Sequence, residues 1–409
     1  MKRGSRMNQQ NGALSGIKVV DLSRVLGGPF SAQVLADHGA QVIKVEPPQR
    51  DETRFWGPPF RQDSSAYFAG INRNKQGISI DLTHAEGRKV LMTLLEDADV
   101  LVENFKIGTL EKWGLGYEDV LAKKFPQLIH CRITGFGADG PLGGLPGYDS
   151  VIQAISGIMS VNGEAGGEPL RVGLPVVDMV TGLNAVIGIL LAMQARHYTG
   201  KGQFVEAALF DSGVSLLHPH LPNYLWSGKV PQRTGNAHPN ITPYDAYATV
   251  TNPIYIAVGN NNQFAKLCEH LGVQPLTSDA RFIDNAARCQ HRMELKQLLE
   301  HRLQDYDGDV LAYELIQAGV PCAPILGVKE IVQHPHTQHR QMVVEIGQHY
   351  QGIGSPIKLS ETPASYRHAP PVFAEHTVEV LQKNGFSDAQ IELLIEQGII
   401  TQHAVDVPA

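Results

Sequence analysis

Between residues 16 and 134 the chain alternates short β-branched runs with helical patterns, and this alternation limits the folds open to it. The first run, 16–23 (GIKVVDLS), leads through Gly27-Gly28-Pro29 into a helical segment at 30–38, which Gly39 ends. A second strand at 41–46 is stopped by Pro47-Pro48, and a third lies at 78–82. Thr83 and Glu86 then form the T-x-x-E pattern of a capping box, which predicts a helix capped by Thr83. Further strands are expected at 99–105 and 128–134, with a helical segment between them. Parallel strands need a crossover, so repeated βα units imply a parallel sheet covered by helices on both faces.

The pattern changes near Gly235. Segments 243–249 and 254–258 read as antiparallel strands joined at Thr251-Asn252-Pro253, with helices to follow at 262–271 and 292–302. This α+β region, roughly 225–325, reads as a separate smaller domain, and 409 residues is long for one compact domain. The remainder holds a Pro-rich stretch at 362–371 and two short helical patterns.

Composition excludes several classes of function. With 43% hydrophobic and 18% charged residues, the chain has the balance of a soluble globular enzyme. A formal charge of −7 argues against nucleic acid or an anionic membrane as a partner. Cys131, Cys268, Cys289 and Cys322 are scattered, without a CxxC pair, which points away from disulfides and zinc and toward a reducing cytoplasm. Residues 1–12 (MKRGSRMNQQNG) lack the apolar core of a signal peptide, and Met7 is an alternative start. Segment 179–195 is apolar, but its ~17 residues are at the lower limit for a membrane span, so it reads as a helix buried in a core.

Several familiar motifs fail. Residues 135–140 (GFGADG) spell GxGxxG after a strand, but Pro141 and Gly143-Gly144 follow where a dinucleotide fingerprint needs a helix to open. The chain contains no GxxxxGK[ST], GxSxG or HExxH. The histidines of His218-Pro219-His220 and His334-Pro335-His336 read as exposed loop residues rather than metal ligands, so no metal is expected.

An ordered series of segments resembles the family III CoA-transferases, the group of formyl-CoA transferase and carnitine CoA-transferase. It runs through 16–23, Gly28-Pro29, 39–47 (GAQVIKVEP), 72–75 (NRNK), 99–105 (DVLVENF) and 135–137. It continues through 175–178 (PVVD), 199–203 (TGKGQ) and 259–263 (GNNNQ), and so covers nearly the whole chain.

The resemblance implies a Rossmann-like large domain at 1–224, a small α+β domain at 225–325, and a C-terminal segment, 326–409, returning to the large domain. It also implies an interlocked homodimer. CoA or acyl-CoA would be a substrate, with no permanently bound cofactor. Asp178 matches the family's nucleophile. Read locally, Asp178 is the N-cap of the apolar helix after it, and the two roles are compatible because a helix N-terminus favours an ionised carboxylate.

The loop Gly259, Asn260, Asn261, Asn262 and Gln263 matches the glycine-rich loop that covers the family's active site, with asparagines in place of some glycines. For CoA the resemblance points to Val25, Leu26, Asn72, Lys75, Asn104, Phe105 and Lys112, the two lysines as phosphate contacts. Pro47 and Pro146 stand where some members carry basic residues. Near the active site, Tyr148 and Asp149 replace the His-Asp of the related α-methylacyl-CoA racemases, and a phenol of free pKa about 10 is a poor base. The implied reaction is therefore CoA transfer rather than racemisation, with a non-catalytic acyl-CoA-binding protein as the remaining alternative. The C-terminal half looks most like the dicarboxylate branch, with succinyl-CoA as donor, and Arg73 is a candidate partner for a second carboxylate.

Overall fold

Six parallel strands in the order β3-β2-β1-β4-β5-β6 form the central sheet of a computed structural model that describes residues 12–61 and 63–403. They are β1 (Lys18–Asp21), β2 (Gln41–Glu46), β3 (Lys75–Ile80), β4 (Val100–Glu103), β5 (Ile129–Thr134) and β6 (Phe204–Ala208). Val19 of β1 pairs with Val42 of β2 on one side and Val100 of β4 on the other. A short strand, Ile400–Thr401, adds antiparallel to β3. The N-terminal residues that bear on the expected start lie outside the described residues.

Strands buried on both faces read as continuous apolar runs, and the four residues of β1 are all buried. Val20, Ile43, Ile78 and Leu101 pack on one face with Leu91 and Leu94, and with Val380, Leu381 and Ile391 of the C-terminal helices. The other face carries α1 (Gly27–Asp37), while α2 (Ala85–Leu94) follows β3. Two local expectations need correction. The first helix begins at Gly27, and Gly28 within it lies so close to Ser23 that a Cβ there would sit 2.3 Å from the serine side chain. Thr83 does not cap α2; its hydroxyl donates to Asp81 at 2.6 Å, and the helix starts two residues later.

Beyond β5 come α3 (Asp149–Ile155) and α4 (Val176–Thr199). Gly182 lets α4 approach α1 closely, since a Cβ would stand 2.7 Å from the Gly27 carbonyl oxygen. Val177, Thr181, Ala185, Ile189 and Ala192 form the buried face of α4. The opposite face, with Leu183, Ile187, Leu190 and Leu191, is exposed, so α4 is not the fully buried helix its composition suggested.

The chain divides into two units. Residues up to Ser156, Val172–Leu216 and residues from His336 onward form the first; Gly157–Arg171 and Leu217–Pro335 form the second. The boundaries thus differ from 224/225 and 325/326. Segment 157–171 joins the second unit because Arg233 donates to the Gly167 carbonyl at 2.6 and 3.0 Å and Gly235 to that of Gly163. In that unit β7 (Tyr244–Tyr247) and β8 (Ile254–Ala257) are antiparallel, and Cys322–Pro324 pairs with β8. Two helices, α5 (Asn261–His270) and α6 (Arg292–Leu303), bury Phe264, Leu267, Leu295 and Leu299 in the same core as Ile254 and Ile256.

Near the carboxyl ends of β1 and β2, and reached by Lys75 at the start of β3, lies a buried ionic cluster. Arg54 makes a two-point bond to Glu46 at 2.7 and 2.8 Å, Lys44 meets Asp51 at 3.1 Å, and Lys75 meets Asp21 at 2.9 Å. Burial raises the Asp21 pKa, but Lys75 and then Lys44 outweigh it and hold the carboxyl below its ordinary value. Removing one partner of such a pair strands the other charge. Arg54→Ala is accordingly expected to cost about 3–5 kcal/mol in equilibrium urea unfolding. A loss under about 1 kcal/mol would mean that water reaches Glu46 and the cluster is not sealed.

Candidate active site

In open parallel sheets, ligands bind beyond the carboxyl ends of the strands where the order reverses. Here the reversal falls between β1 and β4, and a pocket of about 210 Å³ opens there. Val25, Leu26 and Gly27 enter its wall from the turn after β1, and Asn104, Phe105 and Lys106 from the turn after β4. Gly135, Tyr148 and Asp178 complete the side toward α3 and α4. A larger cavity of about 610 Å³, lined by residues from 59–70 and 346–372, holds none of the residues singled out by sequence.

The turn after β1 is fixed from both sides. Asn104 accepts from the Arg24 amide at 2.9 Å and donates to the Arg24 carbonyl at 2.7 Å. Val25, the next residue, has φ +72°, a left-handed conformation that strains a β-branched side chain by about 1–3 kcal/mol. Asn104 thus shapes the pocket wall as well as lining it. Phe105 is partly committed to the core, edge-on to Trp113 with ring centroids 5.4 Å apart.

Asp178 is the third residue of α4, not its N-cap; that position is Pro175, which has no capping side chain. The cap comes from elsewhere. Asp149, on α3, accepts from the amides of Val177 at 2.8 Å and Asp178 at 3.2 Å, and from the Gln153 side chain at 2.6 Å. One carboxylate therefore holds the first turn of the helix that presents the other. The Asp178 carboxylate itself has no hydrogen-bond partner among the described residues. Burial, and then the Asp149 charge, push its pKa up to about 7. The helix N-terminus was expected to favour the ionised form; burial and the Asp149 charge act in the opposite direction. Tyr67 stands in the same field: burial, then Asp178 and Asp149, push its phenol up to about 12.

Several predicted contacts are corrected by burial. Lys75 is 1% exposed, and its ammonium is used by Asp21, the Pro29 carbonyl and Asn72, so it cannot meet a phosphate. Asn72 is fully buried and also donates to the Phe68 carbonyl. Arg73 grips Asp37 at 2.6 and 2.9 Å and donates to the Ile353 carbonyl, which removes it as a substrate contact. Lys112 is exposed, outside the pocket wall, where Lys106 stands instead. Gly259, Asn260, Asn261, Asn262 and Gln263 belong to the second unit. There Asn260 accepts from the Gln263 amide at 2.9 Å and Gln263 accepts from the Gly259 amide at 2.8 Å, a reciprocal cap that starts α5.

Sequence reading missed Arg24, Glu52 and Lys106 in the wall, and the capping role of Asp149. The available signal for the first three was their place just after strand ends, where α/β folds gather function.

Known proteins resemble this chain along most of its length. The profile of CoA-transferase family III matches residues 14–377. A succinate–glutarate CoA-transferase of Agrobacterium fabrum is 40% identical over 379 residues, which is 90% of this chain and 94% of that protein. The human succinyl-CoA:glutarate CoA-transferase is 37% identical over 396 residues, covering 95% of this chain and 90% of the other. Among solved structures, a CAIB/BAIF family protein from Brucella suis superposes with a TM-score of 0.83 at 43% identity, covering 92% of this chain and all of that one.

A carboxyl whose pKa rises on folding binds its proton more tightly in the folded chain. Its penalty therefore acts above the folded value of about 7 and fades as pH falls toward the ordinary value. Asp178→Asn is expected to stabilise the protein at pH 8 by on the order of 2 kcal/mol, with the gain vanishing near pH 4. Denaturant unfolding at both pH values checks this; a gain that is equal at both would show that Asp178 is not ionised against a cost.

Proposed function

The chain belongs to CoA-transferase family III and is a CoA-transferase, and from that premise we propose that Asp178 is its nucleophile, with succinyl-CoA as donor and a dicarboxylic acid as acceptor. The observation that carries the reading is an unbonded carboxylate of raised basicity in the pocket at the sheet's reversal. Carboxylate attack on a thioester must expel a thiolate, and an ordinary thiol has a pKa of about 8.5 against about 3.9 for aspartate. Raising Asp178 to about 7 narrows that gap and still leaves an ionised fraction at neutral pH.

In this mechanism the Asp178 carboxylate attacks the acyl carbon of the donor, a C–O bond forms, and the C–S bond breaks to release CoA thiolate. The thiolate attacks the aspartyl carbonyl of the mixed anhydride, releasing the donor acid and leaving an aspartyl-CoA thioester. The acceptor carboxylate then attacks that thioester, giving a second anhydride and thiolate. Attack of the thiolate on the acceptor's acyl carbon forms the new acyl-CoA and restores Asp178. Val25, Leu26, Asn104, Phe105 and Lys106 would hold CoA, with Lys112 further out along its phosphates. Racemisation lacks support, because Tyr148 stands where that chemistry needs a histidine.

Wild type incubated with succinyl-CoA and glutarate is expected to form glutaryl-CoA, and Asp178→Ala to lose at least ~1,000-fold in rate. Transfer that survives in Asp178→Ala would remove the residue from the chemistry. We also propose a homodimer formed through the exposed apolar face of α4 together with Val151 and Ile155 of α3. Sedimentation without detergent should give twice the chain mass at micromolar concentration; a monomer would contradict it.

A further inference from the structure

Besides Asp178, the charged side chains in the pocket wall are Arg24, Glu52 and Lys106. Arg24 differs from the other arginines near the sheet in how its guanidinium is used. Arg54 and Arg73 each make two short bonds to a single carboxylate, and Arg132 joins Glu103 at 2.6 Å to Glu111 at 2.8 Å. Among the described residues Arg24 has one side-chain hydrogen-bond partner, Glu52 at 3.5 Å, the long limit of a hydrogen bond, and both side chains are about two-fifths exposed.

Its main chain is the opposite of loose. Asn104 holds the amide and the carbonyl of Arg24, and the strained Val25 fixes the direction of the chain beyond it. Three residues on, Gly27 stands against Asp178: a Cβ there would be 3.3 Å from the Asp178 carbonyl oxygen and 3.8 Å from its carboxylate. A rigid base thus carries an uncommitted planar fork in the same pocket as Asp178.

We propose that Arg24 binds the carboxylate at the far end of the acyl group and makes this site select dicarboxylic over monocarboxylic acids. The proposal rests on the transfer reading above. In each half-reaction one carboxyl carbon is joined to Asp178, so the other end of a dicarboxylate must be accommodated within the pocket. A carboxylate withdrawn from water needs a partner, and a guanidinium can take both oxygens at once. The donor's acyl group and the acceptor occupy the same place in turn, so one arginine serves both. Glu52 steadies Arg24 in the empty site and yields it when a two-point partner arrives. Lys106, exposed and without a planar fork, is suited to CoA phosphates.

The test compares acids of matched length in wild type, Arg24→Gln and Arg24→Lys. Transfer from succinyl-CoA is measured to glutarate and to pentanoate. Equilibrium binding of succinyl-CoA and butyryl-CoA is measured in the Asp178→Asn background. Arg24→Gln is expected to lower the glutarate-to-pentanoate ratio of kcat/KM, and the succinyl-to-butyryl binding ratio, by about 10- to 100-fold. Arg24→Lys should recover part of both ratios, which separates recognition from a folding defect. Equal losses for both acids, or unchanged ratios, would overturn the proposal, because Arg24 would then serve CoA or the fold. A wild type that transfers nothing, yet binds succinyl-CoA preferentially through Arg24, would sustain the subsite and overturn the transfer reading instead.

Discussion

The site depends on one buried carboxylate. Asp149 accepts from the first turn of α4 and so decides where that helix begins and which way Asp178 points. The same charge acts on Asp178 through space and adds to the effect of burial on its basicity. A single residue on a neighbouring helix thus contributes to both position and reactivity, with burial the larger influence on the second. Gly182 and Gly27 extend this arrangement, because their missing side chains let α4 lie against the start of α1 and bring Asp178 to the sheet's reversal.

The surrounding structure carries costs that a fold selected for stability alone would avoid. Val25 is held in a left-handed conformation, Asp178 has no hydrogen-bond partner among the described residues, and Arg24 is loosely paired. All three line the pocket. The buried ions of the neighbouring strands are by contrast firmly paired: Arg54 with Glu46, Lys44 with Asp51, Lys75 with Asp21. Firmly paired buried charge in the sheet and loosely paired charge in the pocket is the division expected where a site is preorganised.

The sheet was legible in the sequence because strand length, β-branching and the glycine and proline stops act locally. Five of its six parallel strands follow from the alternation between 16 and 134; β6 lies beyond that stretch, after a long apolar helix that Gly200 closes at φ +70°. Asp178 was legible through resemblance, and its local N-cap reading failed because the capping group comes from Asp149, 29 residues earlier. Lys75 and Arg73 misled for a related reason. Whether a cation is a surface contact or a buried strut depends on its partner, and theirs, Asp21 and Asp37, lie 54 and 36 residues away. Thr83 had the letters of a cap, but Asp81, two residues before it, took its hydroxyl. Arg24 escaped notice because nothing local shows that its fork lacks a firm partner.

The most direct test of the central claim is to trap the enzyme midway. Protein mixed with succinyl-CoA alone, without acceptor, is quenched in acid and digested, and its peptides are weighed by mass spectrometry. The account predicts a CoA thioester on the peptide containing Asp178, cleaved by hydroxylamine and missing from Asp178→Asn. An adduct on another residue, or active transfer under conditions where Asp178 never becomes labelled, would contradict it.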